Sequence, residues 1–444
     1  MILKGYTMKR MQLWHISFGL ICFFGLSLVA SVDSNRNSHF DVLDEAAHYD
    51  YVLKLTQGDF PSWGEKYSPE TLRISDCLGG LSQKAGNCSL KLRNPIAFAP
   101  QGFSYEVQQP PLGYVPFLVS MNKKQDSWQN LKNVRFWGNE INILLASILI
   151  TLIISLMAFD LLASGFISMT VILCPAITHS YATVTNDGFI FPAMLFFLYL
   201  LLTVSKSEDK SRLLSVMAGL ALGLTKGFLP AVPIVGFILV RRLRRREEKN
   251  LFEEFINLEG IRTFFRWSSM FSIGSFLVYT GFQIMRASVS SNVVLKALLG
   301  FSITSVPKLH TIVNSVVNMA LPFYGNLANG VDTIGISLFI TLFLAFMLGS
   351  AFNKFSLRSL QDNLVRNMDF QQKSLLRAHF WAFLLIRIYL FGALVIGLGW
   401  PLLVYMQGKF DFSAPSRYAI GLIPFIIFPI AIFIQSSRET SEQK

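Results

Sequence analysis

Apolar residues gather into long runs along this chain, and the runs are separated by polar stretches of very unequal length. They occupy Trp14 to Val32, Gly138 to Phe159, Leu162 to Thr178, Gly188 to Val204, Leu213 to Val240, Trp267 to Met285, Thr333 to Phe352, Phe380 to Met406 and Tyr418 to Phe433. Runs of about twenty apolar residues match the 30 Å hydrocarbon core of a bilayer when helical. The run from Leu213 is interrupted at Thr225 to Pro230, which predicts two short helices joined by an external hairpin. The pattern therefore predicts an all-α polytopic membrane protein with about ten transmembrane helices in one membrane domain. Between the first two runs, residues 33–137 are polar and rich in Pro and Gly, so they read as a large first external loop. A second loop, 286–332, mixes apolar and polar positions in a way suited to interfacial helices. Inside the first loop a short helix is predicted from Asp44. Four-residue spacing then sets Asp44 over His48 and Glu45 over Tyr49, with Val52 and Leu55 as its anchors.

Charge orients the runs. Lys4, Lys9 and Arg10 precede the first, Lys206, Lys210 and Arg212 follow the fourth, and Arg241, Arg242, Arg244, Arg245 and Arg246 follow the Leu213 run. These clusters belong on the cytoplasmic side, which places both termini there. Residues 179–187 contain no Lys or Arg and are external by the same rule. The first run is read as a retained helix, because Leu28 to Ser31 make a poor cleavage site. Composition agrees, with 52% hydrophobic and 15% charged residues. The net charge of +12 comes from basic residues beside apolar runs, which suits anionic lipid. Nucleic acid is excluded as a partner by the absence of zinc-finger spacing, an RNP motif or a basic helix-turn-helix pattern. Cys22 and Cys174 fall in apolar runs and read as buried small hydrophobes, whereas Cys77 and Cys88 share the first external loop and are a candidate disulfide.

With this topology Asp44, Glu45, His48, Asp187, Lys226 and Arg417 fall on the external side although they are far apart in sequence. Carboxylates opposed to ammonium and guanidinium groups suit a reaction that takes a proton from a hydroxyl while a phosphate departs. Glycosyl transfer from a phospholipid-linked sugar meets that description. A cytosolic nucleotide-sugar donor fits badly, since there is no Gly-rich nucleotide fingerprint or P-loop. The spacing of Glu45 and His48 is not that of a zinc protease, which needs a second ligand histidine, and no Gly-x-Ser-x-Gly elbow is present. His48 reads as an orienting group for the neighbouring carboxylates.

At these positions the chain resembles the polytopic glycosyltransferases of the GT-C superfamily. Within it, the resemblance is to a bacterial membrane-protein group sharing features with protein O-mannosyltransferases and aminoarabinose transferases. Asp44, Glu45 and His48 after the first run, Gln109, Pro110, Pro111 and Leu112 later in the loop, Asn186 and Asp187, Thr225 and Lys226, and Ser416, Arg417 and Tyr418 carry the resemblance. It implies an inverting transferase that moves a sugar from a polyprenyl-phosphate donor to a glycan, lipid or protein acceptor at the outer face of a bacterial cytoplasmic membrane. By position, Asp44 would be the base with Glu45 beside it. His48, Asp187, Gln109 and Tyr418 would bind substrate, and Lys226, Arg417 and Arg135 would hold the lipid phosphate. Asp187 would orient the acceptor or a divalent metal, and metal dependence stays open. Gln109 stands where the mannosyltransferases commonly carry His, which leaves the acceptor open. A transporter or flippase of a lipid-linked or anionic saccharide, and a noncatalytic assembly subunit, are the alternative classes.

Overall fold

The computed structural model describes residues 13–36, 40, 45–61, 65–78, 104, 106, 109–122, 127–204, 224, 315 and 416–441, together with residues 382, 385, 386, 389, 392, 393 and 396–398. Expectations for the runs 213–240 (Leu224 apart), 267–285 and 333–352, the arginine cluster 241–246, and nearly all of the second external loop lie outside the described residues. Every described element is helical. In chain order these are α1 (Leu13–Arg36), α2 (Glu45–Thr56), α3 (Pro69–Leu78), α4 (Val115–Ser120), α5 (Ser127–Asn133), α6 (Asn139–Met157), α7 (Leu161–Ile172), α8 (Pro175–Ala182), α9 (Asp187–Val204) and α10 (Pro424–Ser441). Short 3-10 turns at Pro111–Tyr114 and Ser416–Leu422 precede α4 and α10, and a π-helical turn at Val134–Gly138 joins α5 to α6.

Three of the described helices, over Leu13–Asn35, Gln129–Met157 and Ala419–Arg438, are long and apolar enough to cross a membrane, and the bent pair α7–α8 makes a fourth if it counts as one span. That pair departs from the single span expected over Leu162–Thr178. The chain turns by 51° between Ile172 and Pro175. Pro175 has no N–H to continue the α7 ladder and instead starts α8 at a position where none is needed. The second span also starts earlier than expected, because α5, the π turn and α6 run on as one helical stretch.

Side-chain contacts set the directions of these helices. Ser27 in α1 donates to Glu140 Oε2 near the start of α6 at 2.8 Å, while a Cβ at Gly19 would stand 1.8 Å from Thr151 Oγ1 further along α6. Thus α1 and α6 are antiparallel, and Gly19 permits the close approach. Ser168 Oγ donates to the Phe18 carbonyl and Gly25 faces Ile172, so α7 runs parallel to α1. At the turn between α6 and α7, Ala158 adopts a left-handed conformation with φ 52°, closing α6 through its N–H to Ser155 O. Phe159 then stacks on Phe428 of α10, and Asp160 caps α7 by accepting from the Ala163 N–H at 2.8 Å. Arg438 pairs with Asp160 at 3.4 Å, which fixes the C-terminal part of α10 at that end of the bundle. The other end is where α1 finishes, α6 and α9 begin, and the first loop folds back.

Two apolar cores result among the described residues. The larger fills the space among α1, α6, α7, α8, α9 and α10, and includes the free thiols Cys22 and Cys174, buried as their apolar surroundings predict. Leu20, Phe24 and Leu28 of α1, Leu144 and Ile148 of α6 and Leu161 of α7 point outward instead, as side chains facing lipid would. The smaller core lies in the first loop, where Phe40, Tyr49, Val52, Tyr67, Leu72, Tyr114, Phe117, Leu131 and Val134 pack together with Val184. Val52 is buried in it and Leu55 packs on its edge, which are the anchoring positions expected for α2. Burial, and then the adjacent Glu70 carboxylate, hold the Tyr49 phenol well above its ordinary range.

Within the loop a buried ammonium ties α2 to the chain that follows it. Lys54 Nζ donates to the Lys66 carbonyl at 2.6 Å, pairs with Glu65 at 2.8 Å and stands 3.1 Å from Asp50 Oδ2 as an ion pair without hydrogen-bond alignment. Asp50, fully buried, also accepts from the Ser68 N–H at 2.7 Å. Lys54→Met leaves that carboxylate without its cation, and loss of one partner of a buried pair costs about 3–5 kcal/mol. A lowered thermal midpoint of the detergent-solubilised protein is expected; an unchanged one means the pair contributes nothing to stability.

Candidate functional site

The sequence predicts a short helix at α2 that carries an acidic cluster on the external side. The structure buries this helix on all sides from Glu45 to Lys54. Its apolar residues enter the loop core, and Glu45, His48, Asp50, Tyr51 and Lys54 each meet a partner outside the helix. The helix begins at Glu45, so the carboxylate sits in the first turn, where the helix dipole favours a negative charge. Asp44, the expected base, lies immediately before the described helix and outside the described residues.

Glu45, at 2% exposure, is held from three directions. Arg135 Nε donates to Oε1 at 2.7 Å and Arg135 Nη2 to Oε2 at 2.5 Å, a two-pronged pairing of guanidinium and carboxylate. The Val184 N–H, in the segment between α8 and α9, donates to Oε1 at 2.8 Å. Arg135 is 1% exposed and lies in the π turn, whose extra residue changes the direction of the side chains entering α6. Asn139, one turn later, donates to both the Arg135 carbonyl at 2.8 Å and the Thr183 carbonyl at 3.0 Å. The first loop, the start of α6 and the segment before α9 are therefore clamped together by charge and amide groups. The Nε and Nη2 groups of Arg135, expected from sequence to hold the lipid phosphate, are thus engaged by Glu45.

His48, one turn after Glu45, lies in a second buried set. Its Nδ1 is 2.6 Å from Tyr114 Oη and 3.6 Å from Glu106 Oε2, and Tyr114 Oη donates to that same Oε2 at 3.5 Å. On the other side of the ring, Nε2 is 3.4 Å from Thr185 Oγ1. Thr185 in turn accepts from the Asp187 N–H at 3.2 Å. Tyr51 steadies this arrangement, packing edge-on against Tyr114 at 4.7 Å and donating to the Gln109 carbonyl at 3.0 Å. Gln109 thus contributes its backbone, and Pro110 and Pro111 start the 3-10 turn that presents Tyr114.

Asp187 opens α9 and is buried. Beside it, both side-chain amide atoms of Asn186 and of Asn142 have no hydrogen-bond partner among the described residues, and Asn142 and Asn139 both face Gly188. Each amide carries a donor and an acceptor, the complement of a hydroxyl group. Arg417 and Tyr418 lie in the 3-10 turn that packs on α8 and α9; their side chains are outside the described set. Lys226 and Cys88 are outside the described residues altogether, and Cys77 is described only as part of α3. Among the described residues no group of three or more His, Cys, Asp and Glu side chains is arranged to hold a metal ion.

The structure therefore brings together Glu45, His48, Arg135, Gln109 and Asp187, and adds Glu106, Tyr114 and Thr185. Glu106 and Thr185 carry no signal in the sequence, and Tyr114 only a faint one. Glu106 is an isolated acid in a long loop, and tyrosine and threonine are ordinary residues in such a setting. What could have drawn attention to Tyr114 is its place after the proline pair. Chemically, the site offers a fixed ion pair, an imidazole bridged between hydroxyls, a nearby carboxylate and unpaired amides, all shielded from water.

Glu45→Gln and Arg135→Gln each leave one member of the pair buried and uncompensated. Each is expected to destabilise the protein by about 3–5 kcal/mol, and the double variant by clearly less than the sum. Additive losses in a double-mutant cycle of thermal or denaturant unfolding contradict the coupling. No family model, curated protein or solved structure matches this chain.

Proposed function

We propose that this chain is an inverting membrane glycosyltransferase of GT-C-like architecture, with about ten spans, that takes its sugar from a polyprenyl phosphate. The acceptor is a glycan, lipid or protein at the external face of a bacterial cytoplasmic membrane. The observation that carries this reading is the meeting of Glu45, His48, Glu106, Arg135 and Asp187 at one end of a set of apolar helices, from segments distant in sequence. Burying ionisable groups is costly, and a cluster of them from distant segments supports a functional site.

In this reading Asp44 is the general base. It directly precedes Glu45, whose carboxylate is occupied by Arg135 and Val184 and so acts as the fixed point beside it. Lys226 and Arg417 receive the charge of the departing phosphate, while Asp187 and the neighbouring Asn186 orient the acceptor hydroxyl. Inversion follows because the hydroxyl enters at the anomeric carbon opposite the leaving phosphate, in one displacement. Exclusion of water strengthens each electrostatic contact and keeps the activated sugar from hydrolysis.

The test is incubation of the purified full chain in lipid with a panel of polyprenyl-phosphate sugars and candidate acceptors. Wild type is expected to transfer sugar. Asp44→Asn should lose about 10²–10⁴-fold in kcat, the usual worth of a general base, with an unchanged melting point. Undiminished transfer by Asp44→Asn removes that residue from its role. Translocation of a lipid-linked sugar across vesicles with no transfer would identify a flippase instead.

A further inference from the structure

We propose that Asn139, Asn142 and Asn186 form a hydroxyl-recognition subsite at the first turn of α9, and that the acceptor it takes is a neutral saccharide. This rests on the transferase reading for the reaction served. It narrows the acceptor of that reading from glycan, lipid or protein to a molecule with at least two neighbouring hydroxyl groups.

Each amide is left over for its own structural reason. Asn139 Nδ2 donates to the Arg135 and Thr183 carbonyls at 2.8 and 3.0 Å, which fixes the orientation of the amide. Its Oδ1 is turned the other way and meets no partner among the described residues. Asn142 follows three residues later on the same face of α6, and neither of its amide atoms has a partner among the described residues. Both side chains reach Gly188: a Cβ there would stand 3.3 Å from Asn139 Oδ1 and 3.4 Å from Asn142 Nδ2, so glycine permits an acceptor and a donor to approach the first turn of α9 together. Asn186 immediately precedes α9, where an asparagine ordinarily caps the helix by accepting one of its first N–H groups. Here the Asp187 N–H goes to Thr185 Oγ1 and the Phe189 N–H to the Asn186 backbone carbonyl. The side-chain amide of Asn186 is left without a partner among the described residues.

The three residues are 1%, 0% and 1% exposed, so bulk water does not complete their hydrogen bonds. A buried polar group in that state calls for an explanation, and a ligand that satisfies it supplies one. Charge selects the ligand. Helices α6, α8 and α9 carry no Lys or Arg, while Asp187 opens α9 and Glu140 lies in the first turn of α6. Arg135, which precedes α6, is joined to Glu45. An anion entering here would be buried beside a carboxylate with no cation from these helices, an unfavourable arrangement. Neutral hydroxyls fit, because each offers one donor and an acceptor oxygen, the complement of a side-chain amide. Two unmet amides and a further amide oxygen exceed what the single hydroxyl of a serine or threonine side chain can satisfy, whereas neighbouring hydroxyls on a sugar ring match them. The first loop roofs the subsite: a Cβ on Gly113, in the turn Pro111–Tyr114, would stand 3.0 Å from that of Asn186, so this turn lifts for the acceptor to enter.

The test is binding to the full chain in lipid nanodiscs, measured by saturation-transfer NMR. The probes are methyl hexopyranosides, their monodeoxy analogues, a serine-containing peptide and inorganic phosphate. At least one methyl hexopyranoside is expected to bind, and one of its deoxy analogues about tenfold or more weakly, as in a site whose polar groups go unmet when a hydroxyl is missing. Asn142→Leu should weaken the parent glycoside by a similar factor yet leave the affinity for that deoxy analogue unchanged, because amide and hydroxyl form one interaction. Asn186→Ala should show the same pattern with a different hydroxyl. The melting temperature of unliganded Asn142→Leu is expected to equal or exceed that of wild type, since an apolar group of similar size replaces an unmet amide. A marked drop assigns the amide to the fold and overturns its role in binding. Equal weakening of the parent and every deoxy analogue, binding of peptide or phosphate in place of the glycosides, or no binding of any probe, as when water alone fills the amides, also overturns the subsite. Glycoside binding with the expected pattern, but no transfer from any polyprenyl-phosphate sugar, keeps the subsite and removes the transferase reading.

Discussion

The Glu45–Arg135 pair is the interaction on which the rest of the described site depends. An ion pair this deep cannot rely on water, so its partners must supply every compensating bond. They do so from three segments: α2 gives the carboxylate, the π turn gives the guanidinium, and the segment before α9 gives a backbone N–H. Because those segments are far apart in the chain, the pair also decides how the first loop sits on the helices. The π turn is retained by the same arrangement, since Asn139 ties the Arg135 carbonyl to Thr183 and so holds the irregular backbone in place.

Burial of α2 has a functional consequence. An acidic helix exposed at a membrane surface would be solvated and screened, and its charges would act weakly on a substrate. Under a lid of Phe40, Tyr67, Leu72 and Phe117, the same groups act in a low-dielectric setting where small displacements matter. His48 is then poised between two hydroxyls and a carboxylate, and Tyr114 couples them through a short bond of 2.6 Å. The amides of Asn142 and Asn186, without a hydrogen-bond partner among the described residues, add groups that match hydroxylated ligands better than bare phosphate.

Hydropathy made the helical character of the described residues and their candidate spans legible, with α1, α6 and α9 placed to within a few residues, because a bilayer-length apolar run has few other uses. The helix at α2 was also legible, from the spacing of Val52 and Leu55. The break at Pro175 was hidden by the continuous apolar character on either side of it, although the proline itself supplied the signal. Asp187 and His48 could be proposed as members of one site because charge placement assigns a side to each loop. Pairing could not be read in that way. Charge placement does not reveal that Arg135 is joined to Glu45, and nothing in the sequence distinguishes Glu106 from other acids of the loop. Those depend on how the first loop folds back over the helices, which is a matter of tertiary packing.

The most direct measurement of the central claim is a cryo-EM structure of the full chain in a lipid nanodisc with a non-transferable polyprenyl-phosphate sugar analogue. The sugar is predicted to lie at the end of the bundle where α6 and α9 begin, beside Asp187 and His48, with Arg135 still joined to Glu45. A head group bound at the opposite end near Asp160, or Arg135 drawn off Glu45 onto the phosphate, would contradict it.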